Sequence, residues 1–307
     1  MSAFPDSLSG PRSAVWLEVS PPRGINCESL LTRLGQLRGH VDAINLTDNA
    51  LGRVKLSGLV FASMIKSRLG LPVVLNVSCR DRNLLALKSD LLGAAALGLD
   101  AIVAVTGDKI VPHGDGSAHA VRDVDAIGLL KVIRDLNRGD TGEGKQLLKT
   151  LPALMAGAVA NPNRKIIERE FELLARKAEA GAQFVITQPV FDRDLALDFV
   201  ARARTYNIKV VLGILPVKRE SMANYLSDRI ADLSGARHHL NRYAGLSEAQ
   251  ARELSVRENL LITELEETTI PELRGMIASG MKKELRDELK QDEEVLKGIL
   301  EKLRIAA

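Results

Sequence analysis

The sequence predicts a single-domain α/β fold, a (β/α)8 TIM barrel, on three observations. Short apolar runs recur at a fixed spacing: Ala14-Val15-Trp16-Leu17, Ala43-Ile44-Asn45-Leu46, Pro72-Val73-Val74-Leu75 and Ala101-Ile102-Val103-Ala104 begin at 14, 43, 72 and 101, each 29 residues after the last. Each run is rich in Val, Ile and Leu, as a strand covered on both faces is, and is followed by helical periodicity. The length, 307 residues, suits one barrel with modest insertions. An open doubly wound sheet shares this repeat, but no GxGxxG follows the first run, so its dinucleotide-binding signature is missing.

Residues 1–13 precede the first run and form an N-terminal arm. Helical spacing follows the second and third runs, in Leu56, Leu59, Val60, Met64 and in Leu84, Leu87, Leu91, Leu92. Further strands are expected at Ala153–Val159, Phe184–Thr187 and Val210–Leu215, with helices over 164–180 and 192–205 between them. Two or three extra helices between 219 and 268 then separate strand seven from an eighth, for which Arg274–Ser279 is the best candidate. The stretch 282–307 keeps Leu285, Leu289, Leu296, Ile299, Leu300 and Leu303 at helical spacing, a C-terminal extension that either closes its own core or meets a partner. Gly139–Gly144, in NRGDTGEGK, reads as a surface loop without Walker-A spacing.

Composition narrows the function. Hydrophobic residues at 46% and charged residues at 26% describe a globular chain with a large core. A net charge of +3, interspersed along the chain, is too small for a nucleic-acid-binding face. Cys27 and Cys79 form no CxxC, and the five histidines, including adjacent His238-His239, show no metal-ligand spacing, so no metal site is expected. The opening MSAFPDSLSGPRS lacks the order of a signal peptide, and no apolar run is long enough for a membrane span; the cytoplasm is the expected location.

In a barrel, chemistry sits at the carboxyl ends of the strands. Strand one ends in Glu18-Val19-Ser20-Pro21-Pro22-Arg23, which sets a carboxyl on an apolar strand before a rigid turn. Desolvation there raises its pKa and suits a general acid, with a structural ion pair to an arginine as the alternative. Strand two ends in Asn45-Leu46-Thr47-Asp48-Asn49-Ala50 and strand three in Asn76-Val77-Ser78-Cys79-Arg80-Asp81-Arg82-Asn83. Turn and helix-cap chemistry explains such residues as well as ligand binding does. Strand four ends in Thr106-Gly107-Asp108, where the glycine allows close approach of a ligand and the aspartate supplies fixed negative charge. Strand five ends in Asn161-Pro162 and strand six in Thr187-Gln188-Pro189, whose glutamine can both donate and accept.

These motifs, in this order, resemble the methylenetetrahydrofolate reductase family. The resemblance rests on Glu18 with Pro21-Pro22-Arg23, the Thr47 cluster, Ser78–Asn83, Gly107-Asp108, Asn161-Pro162 and Gly181–Asp192. Gly213-Ile214-Leu215-Pro216-Val217 extends it through strand seven. It implies a barrel holding FAD, or FMN in its place, at the strand ends. Such an enzyme reduces 5,10-methylenetetrahydrofolate to 5-methyltetrahydrofolate with hydride from NADH or NADPH. By motif, the resemblance makes Glu18 the acid that protonates folate N10, Asp108 the charge that stabilises the resulting iminium, and Gln188 a hydrogen-bond partner of the pterin or nicotinamide. It further implies cofactor contacts from Thr47, Asp48, Ala50, Asn76, Thr106, Gly107, Asp108 and Asn161. Arg176 and Lys177 would meet the FAD phosphates and Glu170 the adenosine half.

The chain departs from the family's pattern at several positions. Thr106 stands where the family often has arginine, and Asn76 where it often has histidine. Gly157-Ala158 and Asn161 replace a Tyr-Pro and a later histidine, and Met222 and Leu226 stand near an expected Gln and Phe. Several of these features resemble the branch found in anaerobes, which implies a homo-oligomer or a complex with a second, zinc-containing subunit. A folate-binding scaffold subunit without redox activity and a methyl-pterin barrel methyltransferase are the alternative functions.

Overall fold

The computed structural model describes residues 14–108, 119–142, 150–229, 233 and 236–258. The N-terminal arm 1–13, the eighth-strand candidate Arg274–Ser279 and the extension 282–307 lie outside the described residues. Seven strands are present, β1 (Trp16–Val19), β2 (Ala43–Leu46), β3 (Val73–Ser78), β4 (Ala101–Val105), β5 (Met155–Ala160), β6 (Phe184–Pro189) and β7 (Lys209–Gly213). They form one sheet in sequence order, with β1 to β5 pairing in parallel. Every residue of β2 and β3 is buried, and apart from Asn45, Asn76 and Ser78 all are apolar, so neither strand alternates in polarity.

Nine α-helices alternate with or follow the strands among the described residues. They are α1 (Glu28–Gly35), α2 (Gly58–Leu69), α3 (Leu84–Ala96), α4 (Ala126–Asn137), α5 (Ile167–Ala180), α6 (Arg193–Arg204), α7 (Glu220–Arg229), α8 (Arg237–Leu240) and α9 (Glu248–Glu258). Three begin on residues whose side chains cap the first turn, since Asn83 accepts from the Ala86 N–H, Asp125 from that of Gly128 and Asp192 from that of Leu195. The extra helices expected after strand seven are α7, α8 and α9. No described helix is long and apolar enough to cross a membrane.

β1 and β5 start two residues later than their apolar runs, where a polar side chain bonds the backbone just before the strand. Asp42 accepts the Val15 N–H at 2.7 Å, and β1 begins at Trp16. Asn137 accepts the Leu154 N–H at 3.1 Å and donates to its carbonyl at 2.8 Å, and β5 begins at Met155.

Contacts group the chain into two units: Met1–Val159 with Leu173–Val185 and Tyr206–Lys209, and Ala160–Glu172 with Ile186–Thr205 and Val210–Ala307. In the first, α2 packs on β3 and α4 on β4, burying Phe61, Ile65, Leu129, Leu130 and Ile133 completely. Trp16 meets Phe184 edge to face, with ring centroids 5.4 Å apart. The Phe184 ring fills the space beside Gly157, where an added Cβ would lie 2.3 Å from it. In the second unit, Phe171 stacks on Phe199 at 5.2 Å under the Arg202 guanidinium, and a separate core gathers Val217, Ala223, Leu226, Leu233, Leu240, Tyr243 and Ala251.

Candidate active site

In-register parallel pairing sets Glu18 of β1 opposite Asn45 of β2. Asn45 Nδ2 donates to Glu18 Oε2 at 3.3 Å, and Asn76 Nδ2, from β3, donates to Asn45 Oδ1 at 3.2 Å and to the Leu46 carbonyl at 2.8 Å. A line of amides thus crosses three strands to one carboxyl. Asn45 and Asn76 are buried, whereas Glu18 retains solvent access with protein crowded about its carboxyl. That crowding pushes the Glu18 pKa above the ordinary 4.5, and the Asn45 hydrogen bond, which favours the anion, opposes it without cancelling it. The partner of Glu18 is therefore an amide, and no arginine pairs with it among the described residues.

The turns after β2, β3 and β4 are joined by two arginines. Arg82 donates to both oxygens of Asp48, at 2.6 and 3.2 Å, and Asp48 also accepts the Ser78 N–H at 2.9 Å. Arg80, only 1% exposed, holds Asp81 through both carboxylate oxygens and donates to the carbonyls of Asn49 at 3.1 Å and Asp108 at 3.2 Å. Burial pushes the Asp81 carboxyl up, but Arg80, Asn49 and Arg82 together bring it below the usual carboxylate range. The short 3-10 turn Ala50–Gly52 follows, with Asn49 at φ 44° and Leu51 at φ 58°. A leucine in the left-handed region is strained, and its N–H is held by Asp108 Oδ2 at 2.6 Å. Asp108 is itself exposed, beside exposed Thr106, which leaves its other oxygen open to a ligand.

Gly107 has φ +86°, and an added Cβ would lie 2.2 Å from Ser78 Oγ and 2.7 Å from Arg80 Cβ. The sequence pattern assigns this glycine to a ligand. Its open side is instead filled by the chain's own Ser78 and Arg80, so the glycine lets two turns pack together. Thr47 Oγ1 lies 2.7 Å from Ser20 Oγ and links the ends of β2 and β1.

The remaining candidates stand further along the chain. Lys177 Nζ donates to the Val159 carbonyl at 2.7 Å, near the end of β5, while Arg176 is exposed. In the second unit, Gln188 is half-buried near the end of β6, and its amide makes no hydrogen bond among the described residues. Its neighbour Thr187 is committed, accepting the Gly213 N–H at 2.8 Å. Asn161 Oδ1 accepts the Asn163 N–H, and Glu170, 1% exposed, pairs with Arg164 at 2.8 Å.

The candidates therefore divide by what their polar atoms already do. Glu18, Thr106, Asp108, Arg176 and Gln188 present groups that a ligand can meet. Asp48, Asn76, Glu170 and Lys177 spend theirs on this chain. Sequence reasoning left Asn45, Arg80 and Arg82 open between turn chemistry and ligand binding and did not name them as site builders. The signal was an arginine pair around an aspartate, Arg80-Asp81-Arg82, just after a wholly buried strand, where a buried guanidinium requires acids and carbonyls from other turns.

Comparison with known proteins adds relatives to this geometry. A family model described as methylenetetrahydrofolate reductase matches residues 6–254. The chain is 27% identical over 220 residues to the 5,10-methylenetetrahydrofolate reductase of Salmonella typhimurium, covering 70% of this chain and 68% of that one. It is 24% identical over 251 residues to the enzyme of that name from Buchnera aphidicola, covering 80% and 79%. Among solved structures, an uncharacterized protein from Clostridium thermocellum that binds two copies of 5-methyl-5,6,7,8-tetrahydrofolic acid aligns with a TM-score of 0.55 at 17% identity. The alignment covers 97% of this chain and 99% of that one, and at this identity the likeness is one of fold.

Proposed function

This chain belongs to the methylenetetrahydrofolate reductase family, and from that premise we propose that it reduces 5,10-methylenetetrahydrofolate to 5-methyltetrahydrofolate with Glu18 as the general acid. One observation carries the assignment: a carboxyl at the end of β1 whose pKa burial has raised, fixed in place by an uncharged amide. An acid so placed keeps its proton at pH values where an ordinary glutamate has lost it. With Oε2 engaged by Asn45, Oε1 is free to carry the proton to folate N10.

Protonation at N10 opens the five-membered ring and leaves a cationic iminium, which requires a fixed negative charge nearby. Asp108 suits that part because the Leu51 N–H and the Arg80-held backbone set its orientation before any substrate arrives. Gln188, with an uncommitted amide, suits the hydrogen-bonding edge of the pterin or of the nicotinamide. The folate bound by the fold neighbour from Clostridium thermocellum agrees with this substrate class.

A flavin, FAD or FMN, bound at the strand ends would supply hydride transfer from NADH or NADPH. Thr47, Ala50, Thr106, Asn161 and exposed Arg176 are the residues to hold it, and Gly107 packs together the turns around it. Asp48, Asn76, Glu170 and Lys177 act more narrowly, by shaping the turns that receive it. The same reading makes the whole chain one eight-stranded barrel acting in the cytoplasm, as a homo-oligomer or beside a second subunit.

The test separates the two half-reactions under anaerobic conditions. The purified protein is expected to absorb as a flavoprotein, to bleach with NADH or NADPH and to recover with methylenetetrahydrofolate. Glu18→Gln should leave bleaching nearly intact and slow recovery by about 10²–10⁴-fold. A protein that takes up neither flavin overturns the reductase reading, and equal losses in both halves overturn the role of Glu18.

A further inference from the structure

In the second unit the chain gathers three potential metal ligands from segments distant in sequence. Asp192 follows β6 and caps α6, its Oδ1 accepting the Leu195 N–H at 3.0 Å. Its other oxygen, Oδ2, lies 3.3 Å from Nε2 of His239. His238 and His239 are adjacent on α8, yet their ring centroids lie only 3.8 Å apart with planes tilted by 45°. One ligand atom from each of the three residues falls within a 4.8 Å span.

His239 Nε2 is buried and has no hydrogen-bond partner. The Asp192 oxygen beside it is close enough for electrostatic attraction and misaligned for a hydrogen bond. A buried polar nitrogen left in this state is costly, and native proteins rarely tolerate it without a reason. A zinc ion supplies one: ligand bonds of about 2.0–2.2 Å in a tetrahedron put neighbouring ligand atoms about 3.3–3.6 Å apart.

We propose that Asp192, His238 and His239 form a binding site for a divalent transition metal, with zinc the best match to two imidazoles and one carboxylate. The ion clips the start of α6 to α8. His238 is exposed, so the fourth position is open to water. The sequence pattern predicts no metal because the histidine pair has no ligand at motif spacing; the third ligand, Asp192, comes from the far side of β7 in the chain.

The test uses the full-length protein after removal of metals with a chelator. Zinc titrated against a chromophoric competitor should bind one ion per chain with a Kd of about 10 µM or tighter and raise the thermal midpoint. Cobalt at the same site should give the strong visible bands of a tetrahedral ion. His238→Ala and His239→Gln are each expected to weaken zinc at least about tenfold and to abolish those bands. His119→Ala should match the wild type. Superimposable isotherms for the wild type and the His239 variant, or no saturation of the wild type by about 100 µM zinc, overturn the site. If one histidine variant fails to fold, the other variant and the cobalt spectrum of the wild type still decide. Metal binding is read without turnover, so failure here leaves the reductase reading intact, and the converse holds.

Discussion

A carboxyl crowded by protein so that it resists ionisation makes the folded state hold its proton more tightly than the unfolded chain does. For Glu18 the unfolded value is the ordinary 4.5 and the folded value lies above it. Between the two, the native state binds more protons, so stability falls as pH rises through that window and stays lower above it. Glu18→Gln removes the titration and keeps the shape. The variant is expected to melt above the wild type at pH 8, with the gap closing as pH falls toward 4.5. Calorimetry across a pH series checks this, and a gap independent of pH would count against a strained carboxyl. The raised pKa was legible in the sequence, from one acid on an apolar strand. The identity of its partner was not, because Asn45 read equally well as part of a turn.

The turns that close β2, β3 and β4 depend on Arg80 more than on any candidate chosen from sequence. Replacing it with methionine preserves bulk but leaves Asp81 and the carbonyls of Asn49 and Asp108 without their donor. Asp81 keeps solvent access, so the loss falls mainly on the two carbonyls and the vacated buried site, about 1–3 kcal/mol. Urea unfolding of Arg80→Met should show a loss of that order, and Arg80→Lys should recover little, since an ammonium cannot reproduce the two-pronged contact with Asp81. A loss under about 1 kcal/mol would mean the turns hold themselves. Strand positions were visible in the apolar runs because burial on both faces leaves no polar alternation to misread. The starts of β1 and β5 were not, because Asp42 and Asn137 act on backbone groups of segments far from them in sequence. Arg80 escaped for the same reason: its partners lie on three separate turns.

At the scale of the molecule, the repeat of 29 residues announced the α/β class, and the sheet follows it in strict sequence order. Packing between strands was less legible. Gly157 lies against the Phe184 ring, which occupies the volume a side chain there would need. Gly157→Ala is therefore expected to destabilise by about 1–3 kcal/mol through overpacking, and Phe184→Leu should relieve part of that loss in the double variant. Additive losses in denaturant melts would show that the two sites do not touch. The sequential strand order bears, finally, on how the chain is made. Each of β2 to β5 pairs with the strand translated just before it, so each has its partner in place when it emerges. As β2, β3, β4 and β5 emerge from the ribosome, each finds a finished edge to dock on. Synthesis and assembly then run in the same direction, and the open edge at the growing side is always that of the newest strand.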